Sequence, residues 1–248
     1  MEHDHEQIEQ WMREIGLTWI LENYEHELAD AARAQRPPLQ LLNRLFEGEA
    51  KAKFDRRVER RIMNARFPVV KTFETFQWNW PKNINRDLVR HLATLEFVDN
   101  KANAVFIGGV GLGKTHLATA IAYEACRKGR SVLFATAIDI INQLSIPDEP
   151  AGLVRRLRKY TTPDLLVIDE LGYLPIGRKG ADSLFQVISS RYERGSMIIT
   201  TNRAYKDWTE TFAGDAVTTS AVLDRILHHC ETIVLEGRSY RMKDRIRD

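Results

Sequence analysis

The sequence has little of what marks secreted, fibrous or membrane-embedded chains. Its 248 residues hold only two cysteines, Cys126 and Cys230, too far apart for a CxxC pair. That usage fits a reducing compartment and excludes a zinc framework built on thiolates. Proline and glycine number 8 and 14, too few for a low-complexity or collagen-like chain. No apolar run approaches the roughly 18 residues that a membrane span requires. The opening MEHDHEQIEQ is acidic where a secretory leader is basic and then apolar. The expected location is cytoplasmic, with no membrane partner, and no internal repeat is visible.

What is present is a globular composition, 44% hydrophobic and 28% charged, long enough for one large domain with an appendage. The net charge of +2 conceals strong segregation. Residues 1–50 carry 4 basic and 11 acidic side chains, whereas residues 51–71 carry 8 basic and 2 acidic ones. Such blocks imply separate surfaces with different partners.

Residues 1–66 lack strand signals and read as a small all-α amino-terminal domain, with helix breaks near Gly16, at Pro37-Pro38 and at Gly48. On a last helix from about Glu49 to Ala65, Phe54, Val58 and Ile62 share a packing face. Lys53, Arg56, Arg57, Arg60 and Arg61 cluster on an adjoining arc, with Asp55 and Glu59 outside it. The arc is a candidate nucleic-acid surface; the plainer reading is a solvated helix face. Arg66-Phe67-Pro68 ends the helix. A linker over 67–82 follows, whose aromatic stretch Thr72–Pro81 suits core packing or, less readily, stacking on a base.

From about Asn83 the pattern is α/β. Near-continuous apolar strands at Ala104–Ile107, Ser131–Ala135, Leu165–Ile168, Met197–Thr200 and Thr232–Leu235 predict a parallel five-stranded sheet between helices. The helices fall near 114–128, 137–144, 151–159, 180–193 and 218–229, with Gly129 and Gly195 as carboxyl caps. Residues 67–248 form the second domain.

Residues 108–115, GGVGLGKT, match the phosphate-loop pattern between a strand and a helix, the context it needs. Gly108, Gly109, Gly111, Leu112 and Gly113 would turn backbone N–H groups toward phosphates at a positive helix end. Lys114 would reach the β- and γ-phosphates and Thr115 would ligate Mg²⁺. His116 adjoins this binding loop without a chemical role of its own. Asp169 and Glu170 end the strand LLVIDE, 55 residues after Lys114. Asp169 is the natural Mg²⁺ partner, and Glu170 is placed to orient or deprotonate a water, which points to ATP hydrolysis. A phosphoryl-transferring kinase would share the loop but has less use for that second carboxylate. Asn202, after the strand MIIT, could hold the lytic water or merely cap a helix. His228, His229 and Cys230 look metal-like, but consecutive residues of a regular helix point about 100° apart and cannot converge on one ion, so packing or surface roles are expected.

Together the strings GLGKTHLATAIA, DLLVIDELGYLP, ADSLFQVISSRYERGSMIITTN and AVLDRILHHCETIVLEGRSYRMK resemble the IstB family of transposition helper ATPases, relatives of the DnaC and DnaA initiators in the AAA+ class. RRIMNARFP, over 60–68, resembles that family's amino-terminal domain. The chain departs at Gly109-Val110, where members commonly carry proline. The resemblance implies an AAA+ P-loop NTPase core, with Arg225 as an arginine finger reaching a neighbouring subunit's γ-phosphate and Arg241 as a sensor-II-like arginine. It further implies a ring or helical homo-oligomer around double-stranded DNA that bends its target and recruits or stimulates a cognate transposase. Arg155, Arg156, Arg158 and Lys159 form an unopposed basic run, and Arg178 and Lys179 lie in a loop, as further DNA-facing candidates. A DnaC-like replicative helicase loader is the alternative.

Overall fold

The computed structural model describes residues 2–81, 83–147 and 149–245, and it divides into two compact units, Met1–Arg60 and Arg61–Asp248. The first contains α1 (Glu2–Glu14), α2 (Thr18–Arg33) and most of α3 (Pro38–Ala65). Gly16, at φ +70, breaks the chain between α1 and α2. Gly48 does not break α3, contrary to the sequence reading: a Cβ there would stand 2.3 Å from the Trp19 ring. The glycine serves close packing rather than termination.

Polar clamps hold this unit as much as its few buried apolar groups. Tyr24 Oη donates to Glu9 Oε1 at 3.0 Å, and Arg44 grips Glu27 through two bonds of 2.7 and 3.1 Å. That hydrogen-bonded guanidinium holds the Glu27 carboxyl below its ordinary range. Glu49, 2% exposed, accepts the Ile20 amide at 3.0 Å, satisfying one of the N–H groups that a helix start leaves without an intrahelical partner.

In the second unit α3 ends at Ala65, before Arg66 with φ +60. Two short helices escaped the sequence reading: α4 (Arg86–Thr94), capped by Asn85, and α5 (Glu96–Asp99). The core follows as β1 (Asn103–Gly108), α6 (Lys114–Arg127), β2 (Val132–Thr136), α7 (Ala137–Leu144), α8 (Pro150–Thr161), β3 (Leu165–Leu171), α9 (Arg178–Arg191), β4 (Ser196–Thr201), α10 (Trp208–Thr211), α11 (Ala216–Leu227) and β5 (Cys230–Leu235). All five predicted strands exist, each lengthened or shifted by one to three residues. They pair in parallel in the order β2-β3-β4-β1-β5. Fully buried clusters cover both sheet faces, one centred on Phe106, Leu117 and Val167, the other on Val105, Leu184 and Ile199. Hence the inner strands read as near-continuous apolar runs, whereas the edge strand β5 alternates, with Ile233 and Leu235 buried and Glu231 and Val234 exposed.

Gly129 caps α6 as expected, at φ +90. Gly195 does not cap α9: the left-handed residue is Glu193, at φ +56, while a Cβ on Gly195 would meet the Arg191 guanidinium at 2.7 Å. Among the described residues, no helix is long and apolar enough to cross a membrane.

Candidate functional site

The strand order decides where the chemistry gathers. β4 lies between β1, which feeds the glycine loop, and β3, which ends in the acidic pair. At the carboxyl edge of a parallel sheet these ends converge. Gly111 and Gly113, at φ +76 and +94, supply the left-handed turns that let the loop curl onto α6. Lys114 is 4% exposed, and its Nζ donates to Gly108 O at 2.7 Å and Gly109 O at 2.8 Å. Burial lowers its pKa, with the Asp169 carboxylate opposing.

Asp169 is the hub. Thr115 Oγ1 donates to Asp169 Oδ1 at 2.9 Å, and Thr200 Oγ1 donates to the same oxygen. Thr200 also accepts the Glu170 amide at 3.0 Å. Between Ile168 and Leu171 the pairing of β3 with β4 slips, and within that irregularity Glu170 adopts φ +59. A bulge at a strand end re-aims a side chain; here Asp169 stays buried while Glu170 is exposed.

Beside the loop lies a cavity of about 390 Å³, lined by Gly111–His116 together with Glu170, Tyr173, Trp80, Tyr240 and Arg241. Trp80 and Tyr240 meet edge-on with centroids 6.4 Å apart. Tyr240 N donates to Gly111 O at 2.9 Å, so the segment carrying Arg241 rests on the loop itself. Of the aromatic stretch, Phe73 and Trp78 pack on the core, while Phe76, itself largely buried, and Trp80 line the cavity. His116 sits edge-on to Phe76, and its Nε2 lies 2.9 Å from Thr72 O.

The residues present fit a nucleotide triphosphate with Mg²⁺. The cradle is glycine backbone at a helix start, the buried ammonium donates to two loop carbonyls, and a hydroxyl and a carboxylate offer the hard oxygen donors that Mg²⁺ takes.

Other predicted residues fall elsewhere. Asn202 is exposed past β4 and is absent from the cavity lining. Arg225 lies on α11, its Nη1 bonded to Ala221 O at 2.7 Å and its guanidinium 5.1 Å over the Phe185 ring, also outside the cavity. Arg178 and Lys179 are in the first turn of α9, not in a loop. Arg155, Arg156, Arg158 and Lys159 lie on α8, where Arg155 and Arg158 are exposed. The run is not wholly free: Arg156 donates to Ile146 O at 2.8 Å, and Lys159 stands 5.0 Å over the Tyr160 ring. On α3, Lys53 and Arg56 both pair with Glu49, at 3.7 and 3.2 Å, an anion one turn before the arc that the sequence reading passed over. Phe54, expected to pack, is 54% exposed. The sequence reading missed Thr200, Tyr173 and Tyr240, whereas Trp80 belongs to the aromatic stretch for which base stacking is the second alternative.

Contrary to the sequence pattern, His228 and His229 do not continue the helix. α11 stops at Leu227, so His228 and His229 lie in a turn, with rings 4.0 Å apart at 42°. Cys230 stands apart, its thiol pushed up to about 12 by burial.

Comparison with known proteins gives the family and the fold. The chain is 36% identical over 240 residues to the ATP-binding protein of insertion sequence IS5376 from Geobacillus stearothermophilus, covering 97% of this chain and 95% of that one. It is 35% identical over 239 residues to the ATP-binding protein of IS21 from Pseudomonas aeruginosa, covering 96% and 90%. The crystal structure of DnaI, 18% identical, superimposes with a TM-score of 0.57 over 70% of this chain and 93% of that one. The DnaC helicase loader, 21% identical, gives 0.52 over 66% and 96%. At such identities the likeness is one of fold alone. The family model described as "IstB-like ATP binding protein" matches residues 11–248, and the chain belongs to that insertion-sequence ATP-binding family.

Proposed function

We propose that the chain is a Mg²⁺-dependent ATPase that assembles on duplex DNA and serves its insertion sequence by recruiting or stimulating the transposase at the target. The observation that carries hydrolysis is the arrangement of Thr115, Asp169 and Glu170. One carboxylate is engaged by the phosphate-loop hydroxyl, while the next, turned outward by the bulge, is free to orient or deprotonate water. In the bound state, Lys114 would exchange its loop carbonyls for phosphate oxygens, Thr115 and Asp169 would hold Mg²⁺, and Arg241 would approach the phosphates from the segment resting on Gly111. Mg²⁺ would neutralise charge developing on the transferred phosphoryl group.

Arg225 lies outside its own chain's cavity, which suits a finger supplied to a neighbouring subunit. Such a cation contributes about 10³ to 10⁵ in rate when given in trans, so hydrolysis would follow assembly. For Asn202 to hold the lytic water and sense the γ-phosphate, nucleotide binding would have to draw it inward. The exposed cations Arg57, Arg60, Arg155 and Arg158, with Arg178 and Lys179, support a backbone-led, sequence-tolerant contact with DNA.

Glu170→Gln tests the reading. It should retain ATP and Mg²⁺ binding, lose turnover and accumulate on duplex DNA. Turnover equal to wild type would refute the hydrolytic assignment and leave an ATP-gated scaffold. Preference for single-stranded over duplex DNA in ATP would instead favour a helicase loader.

A further inference from the structure

We propose that Glu193, His228 and His229 form a binding site for a divalent transition-metal ion, of the zinc, cobalt or nickel class, at the amino edge of the sheet opposite the phosphate loop. One donor atom from each of the three residues lies within 4.8 Å of the others, the single such grouping among the described residues. His228 Nδ1 and Glu193 Oε1 are 4.0 Å apart. Bonds of about 2.0–2.2 Å in tetrahedral geometry place ligand atoms roughly 3.4 Å from one another. The exposed side chains therefore need to close by little more than 1 Å, within the reach of small rotamer changes.

Position and chemistry both favour a cation here. α9 ends at Arg191 and α11 at Leu227, so the negative ends of two helices meet at the cluster. Tyr192 Oη stands 2.8 Å from His228 Nδ1, the same nitrogen that faces Glu193 Oε1, so an ion taken by Nδ1 displaces the tyrosine hydroxyl. Two imidazoles and one carboxylate leave a coordination position open and match borderline ions, not the all-oxygen shells of Mg²⁺ or Ca²⁺. Cys230, the next residue, turns its sulfur to Glu231 O at 3.6 Å and contributes no thiolate. An ion held by these groups would tie the α9–β4 turn to the α11–β5 turn, and its binding does not depend on the ATPase reading.

The test is titration of the full-length protein, free of any polyhistidine tag, with Co²⁺ alone, followed by visible ligand-field absorption, and then Zn²⁺ displacement. We expect saturable binding of one ion per chain and a Zn²⁺-dependent rise in Tm. A His228→Ala/His229→Ala variant should lose both signals while unfolding as wild type does without metal. Glu193→Gln should weaken binding, whereas Tyr192→Phe, which removes a competitor for His228 Nδ1, should not weaken it. His3→Ala/His5→Ala, which removes the other closely spaced histidines, should leave the signal intact. No saturable one-to-one signal, its survival in the His228/His229 variant, or its loss in the His3/His5 variant would each overturn the site. If the His228/His229 variant is destabilised without metal, Glu193→Gln decides the matter: unchanged affinity overturns the site.

Discussion

The Thr200 hydroxyl bridges the two acidic residues at the end of β3, donating to Asp169 Oδ1 and accepting the Glu170 amide at 3.0 Å. One side chain thus orients the proposed Mg²⁺ carboxylate and pins the backbone of the proposed water-directing one at φ +59. Thr200→Val keeps the shape and removes both bonds. Because misplacing a reacting group by about 1 Å can cost on the order of 10²-fold, ATP turnover should fall by about ten- to a hundredfold while ATP affinity changes little. Thr200→Ser should restore turnover, which a purely packing role would not predict. Steady-state hydrolysis beside equilibrium nucleotide binding makes the comparison.

Gly111 has two reasons to remain glycine. Its φ is +76, and a Cβ would stand 2.1 Å from Ser239 Oγ in the segment that delivers Tyr240 and Arg241 to the loop. Left-handed backbone costs a non-glycine residue roughly 1–2 kcal/mol, and a forced overlap costs typically about 1–3 more. Gly111→Ala should therefore weaken ATP binding by about tenfold or more. Adding Ser239→Gly removes the clash but not the backbone strain, so affinity should return only in part. A double-mutant cycle on nucleotide affinity reads the coupling, and full additivity would show that Ser239 does not press on the loop.

These two relationships also mark the limit of what sequence revealed. GGVGLGKT and LLVIDE carry their chemistry within short contiguous strings, so the loop, Lys114, Thr115 and the Asp169-Glu170 pair were legible at once. Thr200 was not, because its role exists only once β4 is inserted between β1 and β3, and that order is a property of the folded sheet. Trp80 and Tyr240 lie 160 residues apart in sequence and meet only at the cavity. Gly48 misled in the opposite direction: a local breaker signal was overruled by the Trp19 ring it accommodates. The histidine pair misled because α11 stops one residue before it, where the sequence pattern continues the helix.

The basic arc on α3 is divided by Glu49. Lys53 and Arg56 are paired with that buried carboxylate, whereas the exposed Arg57 and Arg60 have no acidic partner among the described residues. Under the proposed duplex-binding function, Arg57→Ala/Arg60→Ala should weaken binding alike for every sequence. It should also flatten the slope of log K against log salt by about 0.9 for each phosphate no longer neutralised. Arg56→Ala should have a smaller effect on DNA and a larger one on folding, since it strips a partner from Glu49. Salt-dependent binding to unrelated duplexes distinguishes these outcomes; an effect confined to one sequence would contradict backbone-led binding.

Arg191 contributes stability far from the nucleotide. It is fully buried, and its guanidinium donates to the carbonyls of Tyr160, Pro163, Asp164 and Ser196 at 2.6–3.2 Å, joining the ends of α8 and α9 to the starts of β3 and β4. Burial brings its pKa down to about 10, so the group remains cationic at neutral pH. Arg191→Met preserves the apolar stem but leaves buried carbonyls without these donors, at about 1–3 kcal/mol for each group left unsatisfied. Some of those carbonyls keep a backbone partner, as Asp164 O does with the Ser196 amide, so the total should be on the order of 3 kcal/mol rather than the full sum. For a unit of this size the shift in Tm is then on the order of 10 °C. Gly195→Ala should destabilise by the same route, because its Cβ would fall 2.7 Å from Arg191 Nη2. Thermal unfolding with and without ATP separates this effect from the binding site: both variants should melt early, and ATP should still raise the Tm of each by as much as it does for wild type.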